Sequence, residues 1–445
     1  MMITSEPTTT DNPSLEDPRV FQQHQDNLGI DVPWLTSAKQ SAWSRYLELP
    51  SPLRTDEKWR FANLNRIREM GDFRPVPGTT PEVPGIVERS RRFNEVSGRL
   101  VLADEALAAA VELDPDLRKQ GVIFTTLADA IVQHPDLVQR YFMQQTPELG
   151  SEKFEALHVA LLRNGTFLYV PDDVEIDRPF VSYNWSCRDG GALFPHTLFI
   201  TGRNARASLI EFQEAATEET RHLVVANAHL YAGDGARPVH TIVQNWNLNT
   251  LSFQLNTNNA QEETVTKSTL INLGSIQARQ EIHGKIFGSG SNVEMYALNV
   301  PRGRQEFDQR TLQSHIAPRS RSDLLFKNAL MESSRSIFSG LIIVEEDAQQ
   351  TDAYQTNNNL MLSDKAEANS LPGLEIKAND VKCSHGATTG RIDESEIFYF
   401  LARGIPRSKA QELMVFGYFE EIVQKLDNAE LAEYIRERLV HKFTD

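Results

Sequence analysis

A change of texture near His158 constrains this chain more than any other feature. From there to about residue 392, apolar runs of about four to seven residues recur with almost no helical periodicity. Phe167-Leu168-Tyr169-Val170, Leu223-Val224-Val225-Ala226, Thr269-Leu270-Ile271-Asn272-Leu273 and Gly340-Leu341-Ile342-Ile343-Val344 are examples. Gly, Asn and Asp punctuate them, and many alternate apolar with polar residues as half-buried strands do. So long a series of short strands exceeds a single sandwich and leaves a barrel, a propeller or a solenoid. No Trp-Asp or glycine-pair signature recurs, which disfavours a propeller. In a parallel β-helix each strand pairs only with the coils above and below it. Asn245-Trp246-Asn247-Leu248-Asn249 and Asn256-Thr257-Asn258-Asn259 suit its turns. The expected fold is mainly β, a parallel β-helix whose repeat is too degenerate to give a period.

Both flanks read as helical. Trp34, Leu35, Trp43, Tyr46 and Leu47 mark a helix ended by Pro50-Ser51-Pro52. Leu64 and Ile67 follow Trp59-Arg60-Phe61, and residues 71–95 form a Pro/Gly-rich connection. Short apolar runs at Leu100-Val101-Leu102 and Val122-Ile123-Phe124 precede a helical stretch from Leu127 to Met143. The expected organisation is a mixed, mainly helical domain over 1–155, the β-helix over 156–392 and a helical domain over 393–445. In that last domain Pro406 opens a helix, and Asp427-Asn428 breaks it before a second one with Leu431, Tyr434, Ile435 and Leu439. Phe416, Phe419, Ile422 and Val423 form an apolar face. It either docks a partner or packs on its own domain.

Composition excludes several classes. The chain has 445 residues, 45 basic against 61 acidic, for a net charge of −16. That disfavours nucleic-acid binding by phosphate neutralisation. No stretch approaches the roughly 18 apolar residues of a membrane helix. The polar start, expected to be mobile, has neither the basic and apolar regions of a secretory signal nor the arginines of a transit peptide. A reducing, cytoplasmic location is expected. The two cysteines, Cys187 and Cys383, lie far apart, so no CxxC and no disulfide framework is present. The chain alone lacks the four thiolates of an ordinary iron–sulfur site.

Catalytic motifs are absent as well. Gly284-Lys285 runs into Ile286 and makes no P-loop, and no GxSxG, HExxH or EF-hand occurs. Gly288-Ser289-Gly290 reads as a turn. Two clusters carry possible chemistry. Cys383-Ser384-His385 on a strand puts a thiol and an imidazole on one face, both suited to iron, zinc or copper. Two ligands do not complete a site, so further ligands have to come from elsewhere. Cys187 reads as a buried core thiol. The second cluster is Asp308, Arg310, Thr311 and His315, which read as a polar ladder on a solvated strand face. In an alternative reading the solenoid is an enzyme acting on acidic polysaccharide, with Asp308, Arg310 and Arg279 in a shallow groove. The acidic net charge opposes that reading. A third reading is a purely structural interaction protein.

Longer motifs resemble a known family. Ala348 to Ser363 (AQQTDAYQTNNNLMLS), Pro372 to Asp380 (PGLEIKAND) running into Val381-Lys382-Cys383-Ser384-His385-Gly386-Ala387-Thr388, and Phe398 to Ile405 (FYFLARGI) resemble the SufB/SufD family of iron–sulfur assembly scaffolds. The segment at Trp59-Arg60 is similar to its N-terminal motif. The resemblance implies a right-handed parallel β-helix between an N-terminal domain and C-terminal helices. It also implies a SufB–SufC–SufD complex. In it, a SufB-type paralogue pairs with this chain and a SufC-type ABC ATPase docks on the C-terminal helices. A nascent cluster is then transiently shared with SufB and none is held stably by this chain alone. His385 matches the histidine implicated at that interface, and Cys383 matches its neighbour with weaker support. Two departures match the SufD side of the family. Ala366 stands where the persulfide-accepting cysteine falls in the other branch, and Gly386 where that branch has a glutamate. A homodimer in the partner's absence is consistent with an open β-helix edge.

Overall fold

Two mostly parallel sheets, each of 11 strands, build the strand-rich region of the computed structural model, which describes residues 14–444 except 31, 80 and 82. The polar start of the chain therefore lies, through residue 13, outside the described residues. The first sheet runs through Gly165–Val170, His196–Thr201, His222–Ala232, Thr250–Ala260, Gln277–Ile286, Glu306–His315, Arg335–Val344 and Glu367–Ile376. The second runs through Gly98–Ala103, Phe180–Ser186, Arg206–Ala215, Arg237–Asn245, Val265–Asn272, Asn292–Asn299, Arg321–Leu330, Thr351–Met361 and Val381–Arg391. Along the coils the chain alternates between the sheets, so each strand pairs in parallel with a strand one coil away. This is a parallel β-solenoid, as the strand texture implied.

Alternation along each strand sends one set of side chains into the solenoid and the other outward. Phe326 and Phe338 meet inside with ring centroids 5.6 Å apart. Amides share that interior and bond to one another, both between coils and across the two sheets. Asn272 donates to Asn299 at 2.6 Å, Gln309 to Asn328 at 2.8 Å and Asn328 to Asn357 at 2.8 Å. These bonds offset part of the cost of burying the amides, while Asn272 Oδ1, Gln309 Oε1 and the Gln355 amide remain unpartnered among the described residues.

The solenoid begins earlier than residue 156. Gly98–Ala103, within the segment read as the N-terminal domain, pairs in parallel with Phe180–Ser186. Antiparallel strands close this end. Ala106–Leu107 and Glu112–Leu113 pair with Gly98–Ala103, and Ile123–Thr126 pairs with Gly165–Val170. The turn at Asp104 and Glu105 holds both residues at positive φ, 47° and 61°. Their carboxylates accept the N–H groups of Cys187 and Phe194, each at 2.8 Å, which offsets the strain. Burial pushes the Glu105 carboxyl up to about 8.

Helices Pro18–Asp26, Pro33–Glu48 and Glu152–Leu161 cover the outer face of the first sheet, and Phe154 stacks on Phe253 at 4.1 Å. Buried Lys39 donates to the carbonyls of Ala160 (3.1 Å) and Leu162, capping the last of these helices. The helical stretch from Leu127 divides at Pro135 into Leu127–Gln133 and Pro135–Tyr141, because proline cannot continue the helix before it.

The C-terminal helices are Glu394–Leu401, Arg407–Val423 and Ala429–Thr444, with Asn428 capping the last by accepting the Leu431 N–H at 2.8 Å. Their apolar face does not await a partner. Phe419, Ile422 and Val423 are buried on the solenoid beside Val243, Ile271 and Leu298, and Phe416 is half-buried against the same cluster. The second sheet had outward apolar residues to cover, and this face covers them. A different set is exposed: Phe398, Tyr399, Leu401 and Leu413.

Candidate functional site at the open end of the solenoid

The final coil, Glu367–Ile376 and Val381–Arg391, has no further strand beyond it among the described residues. Its side chains are accordingly half-buried or exposed, unlike those of every coil before it. Pro372 interrupts the N–H row of one edge strand. Val381–Arg391 contains no proline, so it offers the more complete ladder for pairing.

Cys383 and His385 lie on this strand, two residues apart and on one face. Register places Cys383 beside Ala353 and His385 beside Gln355. Ala353, Gln355, Asn357 and Asn359 are the buried, inward residues of their strand, so Cys383 and His385 share that inward side at the solenoid's mouth. Cys383 is half-buried against Ile342, Val344 and Ala353. This partial burial pushes its thiol up from the usual value, against a lowering backbone hydrogen bond from Ala353. A raised thiol is protonated at neutral pH and is a poor nucleophile. His385 is exposed.

Below His385, Gln355 is buried and neither atom of its amide has a partner. The amide occupies a notch left by Gly340, where a Cβ would lie 2.4 Å from its oxygen. Sequence reasoning passed over Gln355, and its alternation with Ala353 and Asn357 was the available signal. The coil is tied down from one side only: Asn359 donates to the Thr388 carbonyl at 3.1 Å and Thr388 to Asn358 at 2.7 Å.

The other sequence candidates do not join this site. Cys187 follows Phe180–Ser186 at the far end, and burial pushes its thiol up to about 12. Seven strand spacings separate the two cysteines' strands, roughly 34 Å. Ala366 is half-buried in the turn before the final coil. Gly386 has nothing within 4 Å of a would-be Cβ, so sterics do not impose glycine there. Among the described residues, no group of three or more His, Cys, Asp or Glu side chains is placed to hold a metal ion.

Asp308, Arg310 and His315 are not on a solvated face. His315 points inward and bonds to Ser320 (2.7 Å) and Ser322 (2.8 Å). Asp308 and Arg310 point outward, but the N-terminal region seals that face. Arg279 lies 3.6 Å from the Trp59 ring centroid and pairs with Asp308 and Glu281, and Arg310 pairs with Asp308 at 2.6 Å. All four charged residues are at most 4% exposed. They line no groove, which overturns the polysaccharide reading.

The fold and site therefore define a solenoid platform whose soft and borderline donors lie at an open edge rather than in a cleft. The comparisons make the assignment specific: the chain belongs to the SufBD family of iron–sulfur cluster assembly proteins. Residues 184–418 match the SufBD core domain of the SUF system for FeS cluster assembly, and residues 101–181 match the SufBD N-terminal region. The iron–sulfur cluster assembly protein SufD of Bacillus subtilis is 28% identical over 88% of this chain and 90% of its own length. A SufBD family protein of Synechocystis is 25% identical over 92% of this chain and 91% of its own. A chloroplast SufBD family protein of Arabidopsis thaliana is 24% identical over 88% and 74%.

Proposed function

We propose that this chain is the SufD-type, non-catalytic scaffold subunit of a cytoplasmic SufB–SufC–SufD complex. The observation that carries the reading is the open final coil, with a pairing-competent edge strand bearing Cys383 and His385. A SufB-type paralogue adds to that edge, and the nascent cluster forms between the two chains as shared cargo. One imidazole nitrogen of His385 donates to an iron, and Cys383 is a secondary donor. A mixed Cys/His shell split between chains holds a cluster less tightly than four thiolates, which suits a scaffold that must release it. Alanine at position 366 and the raised Cys383 thiol both support a chain that does not itself accept sulfur. The exposed Phe398, Tyr399, Leu401 and Leu413 are the docking surface for the SufC-type ATPase.

Anaerobic reconstitution with SufB-type and SufC-type partners tests this, with iron and sulfide counted per complex. His385→Ala is expected to assemble a complex of normal composition that accumulates at least about tenfold less cluster, a loss of about 1.4 kcal/mol or more. Normal iron and sulfide in that variant contradict the assignment.

A further inference from the structure

A cavity of about 360 Å³ lies between the last C-terminal helix and the turns that follow four consecutive strands of the second sheet. Asn247, Leu273 and Gly274 line it with Arg302, Arg438 and Lys442, and Glu218 is its carboxylate. The cavity lies on the outer side of the second sheet and is not part of the open-end site.

The charges here are poorly matched by the protein. Arg438 has Glu214 at 3.7 Å and donates to the Tyr434 hydroxyl at 2.9 Å. Arg302 and Lys442 have only neutral partners among the described residues. Arg302 donates to the Lys442 carbonyl and Lys442 to the Gln305 side chain, each at 3.3 Å. Burial and the neighbouring Arg302 bring the Lys442 ammonium down to about 8, and Glu218 opposes them. In a chain with 61 acidic and 45 basic residues, two half-buried cations side by side without an ion-pair carboxylate are unusual. Two cations held together repel each other, and an anion between them removes that cost. The volume exceeds what one phosphate needs, and Arg302 and Lys442 without an ion pair, beside an Arg438 already paired to Glu214, suit a multiply charged anion.

We propose that this cavity binds the diphosphate group of a small molecule through Arg302, Arg438 and Lys442. Calorimetric titration and thermal unfolding of the full chain with sodium pyrophosphate, ADP and adenosine, at an ionic strength fixed with sodium chloride, test it. Pyrophosphate is expected to raise Tm by about 2 °C or more over chloride. Lys442→Gln and Arg302→Gln are each expected to weaken its binding by about tenfold or more with an unchanged circular dichroism spectrum. ADP binding more tightly than pyrophosphate identifies a nucleotide's diphosphate as the ligand, and equal binding identifies the free diphosphate. Either result supports the site provided both variants weaken it. No rise over chloride, binding undiminished in both variants, or binding of adenosine, which carries no phosphate, overturns it.

Discussion

At the N-terminal end of the solenoid, Gly98–Ala103 and Gly165–Val170 are covered by antiparallel strands. At the C-terminal end, Glu367–Ile376 and Val381–Arg391 are covered by nothing described. Gly98–Ala103 is buried throughout, whereas eight consecutive residues of the last strand, Gly386 among them, are exposed. Stacked repeats leave a backbone ladder unpaired at each end, and an unguarded ladder recruits other chains. One end spends a strained turn and a buried glutamate on closure. The other keeps an 11-residue edge strand without proline and places the thiol and the imidazole there. On the proposed function, closure marks the end that only has to be stable, and openness marks the end where a partner adds.

The contrast can be attacked from the closed side first. Burial lowers the imidazoles of His158 and His283 to about 3, and those of His222, His229, His240 and His315 to about 4. All lie in the closed body. Below the ordinary value of 6.5 the unfolded chain binds protons that these groups refuse when folded, so their contribution is lost as pH falls. Buried carboxyls such as Glu105 and Glu155, raised to about 8, act the opposite way only while the unfolded chain still has carboxylates to protonate. That opposition fades below about pH 4.5. Tm is therefore expected to fall by on the order of 10 °C between pH 4.5 and 3. A flat or rising profile there means that the histidines are not held neutral.

Next in size is a cavity at the closed end. Phe180 is fully buried with its ring 4.9 Å from Phe124. Phe180→Ala is expected to cost about 3–5 kcal/mol in denaturant unfolding. A cost near zero would mean that this end is not the packed cap described. The smallest effect belongs to the open end. Gly386→Glu meets open space, whereas a Cβ at Gly165, at the closed end, would lie 1.8 Å from the His196 carbonyl oxygen. The glutamate variant is expected to stay within about 0.5 kcal/mol of the parent, and a larger loss shows a crowded final coil.

Much of this was legible in the residues. The alternating runs gave the strands, and Pro50 and Pro406 mark a helix end and a helix start as their chemistry requires, whereas the break at Pro135 inside the stretch from Leu127 was missed. The coil length was not legible because it varies: Asn299 lies beside Asn272, 27 residues on, and Asp352 beside Arg321, 31 residues on. That Cys383 and His385 share one face followed from strand parity, while their proposed role rests on the family resemblance. The openness of their coil did not, because exposure depends on which strands follow in space rather than in sequence. Asp308 and Arg310 misled for the related reason that a charged outward face can be sealed by a distant segment, here that of Trp59. The helical face at Phe419 misled because its periodicity shows that something is covered but not what covers it.

Amide hydrogen exchange across the chain, with and without a SufB-type paralogue, tests most directly whether the open end is the working interface. Added paralogue is expected to slow exchange over residues 381–391 by at least about tenfold and leave residues 98–107 unchanged. Protection that appears at the closed end instead, or a complex that forms with residues 381–391 still exchanging freely, contradicts the account.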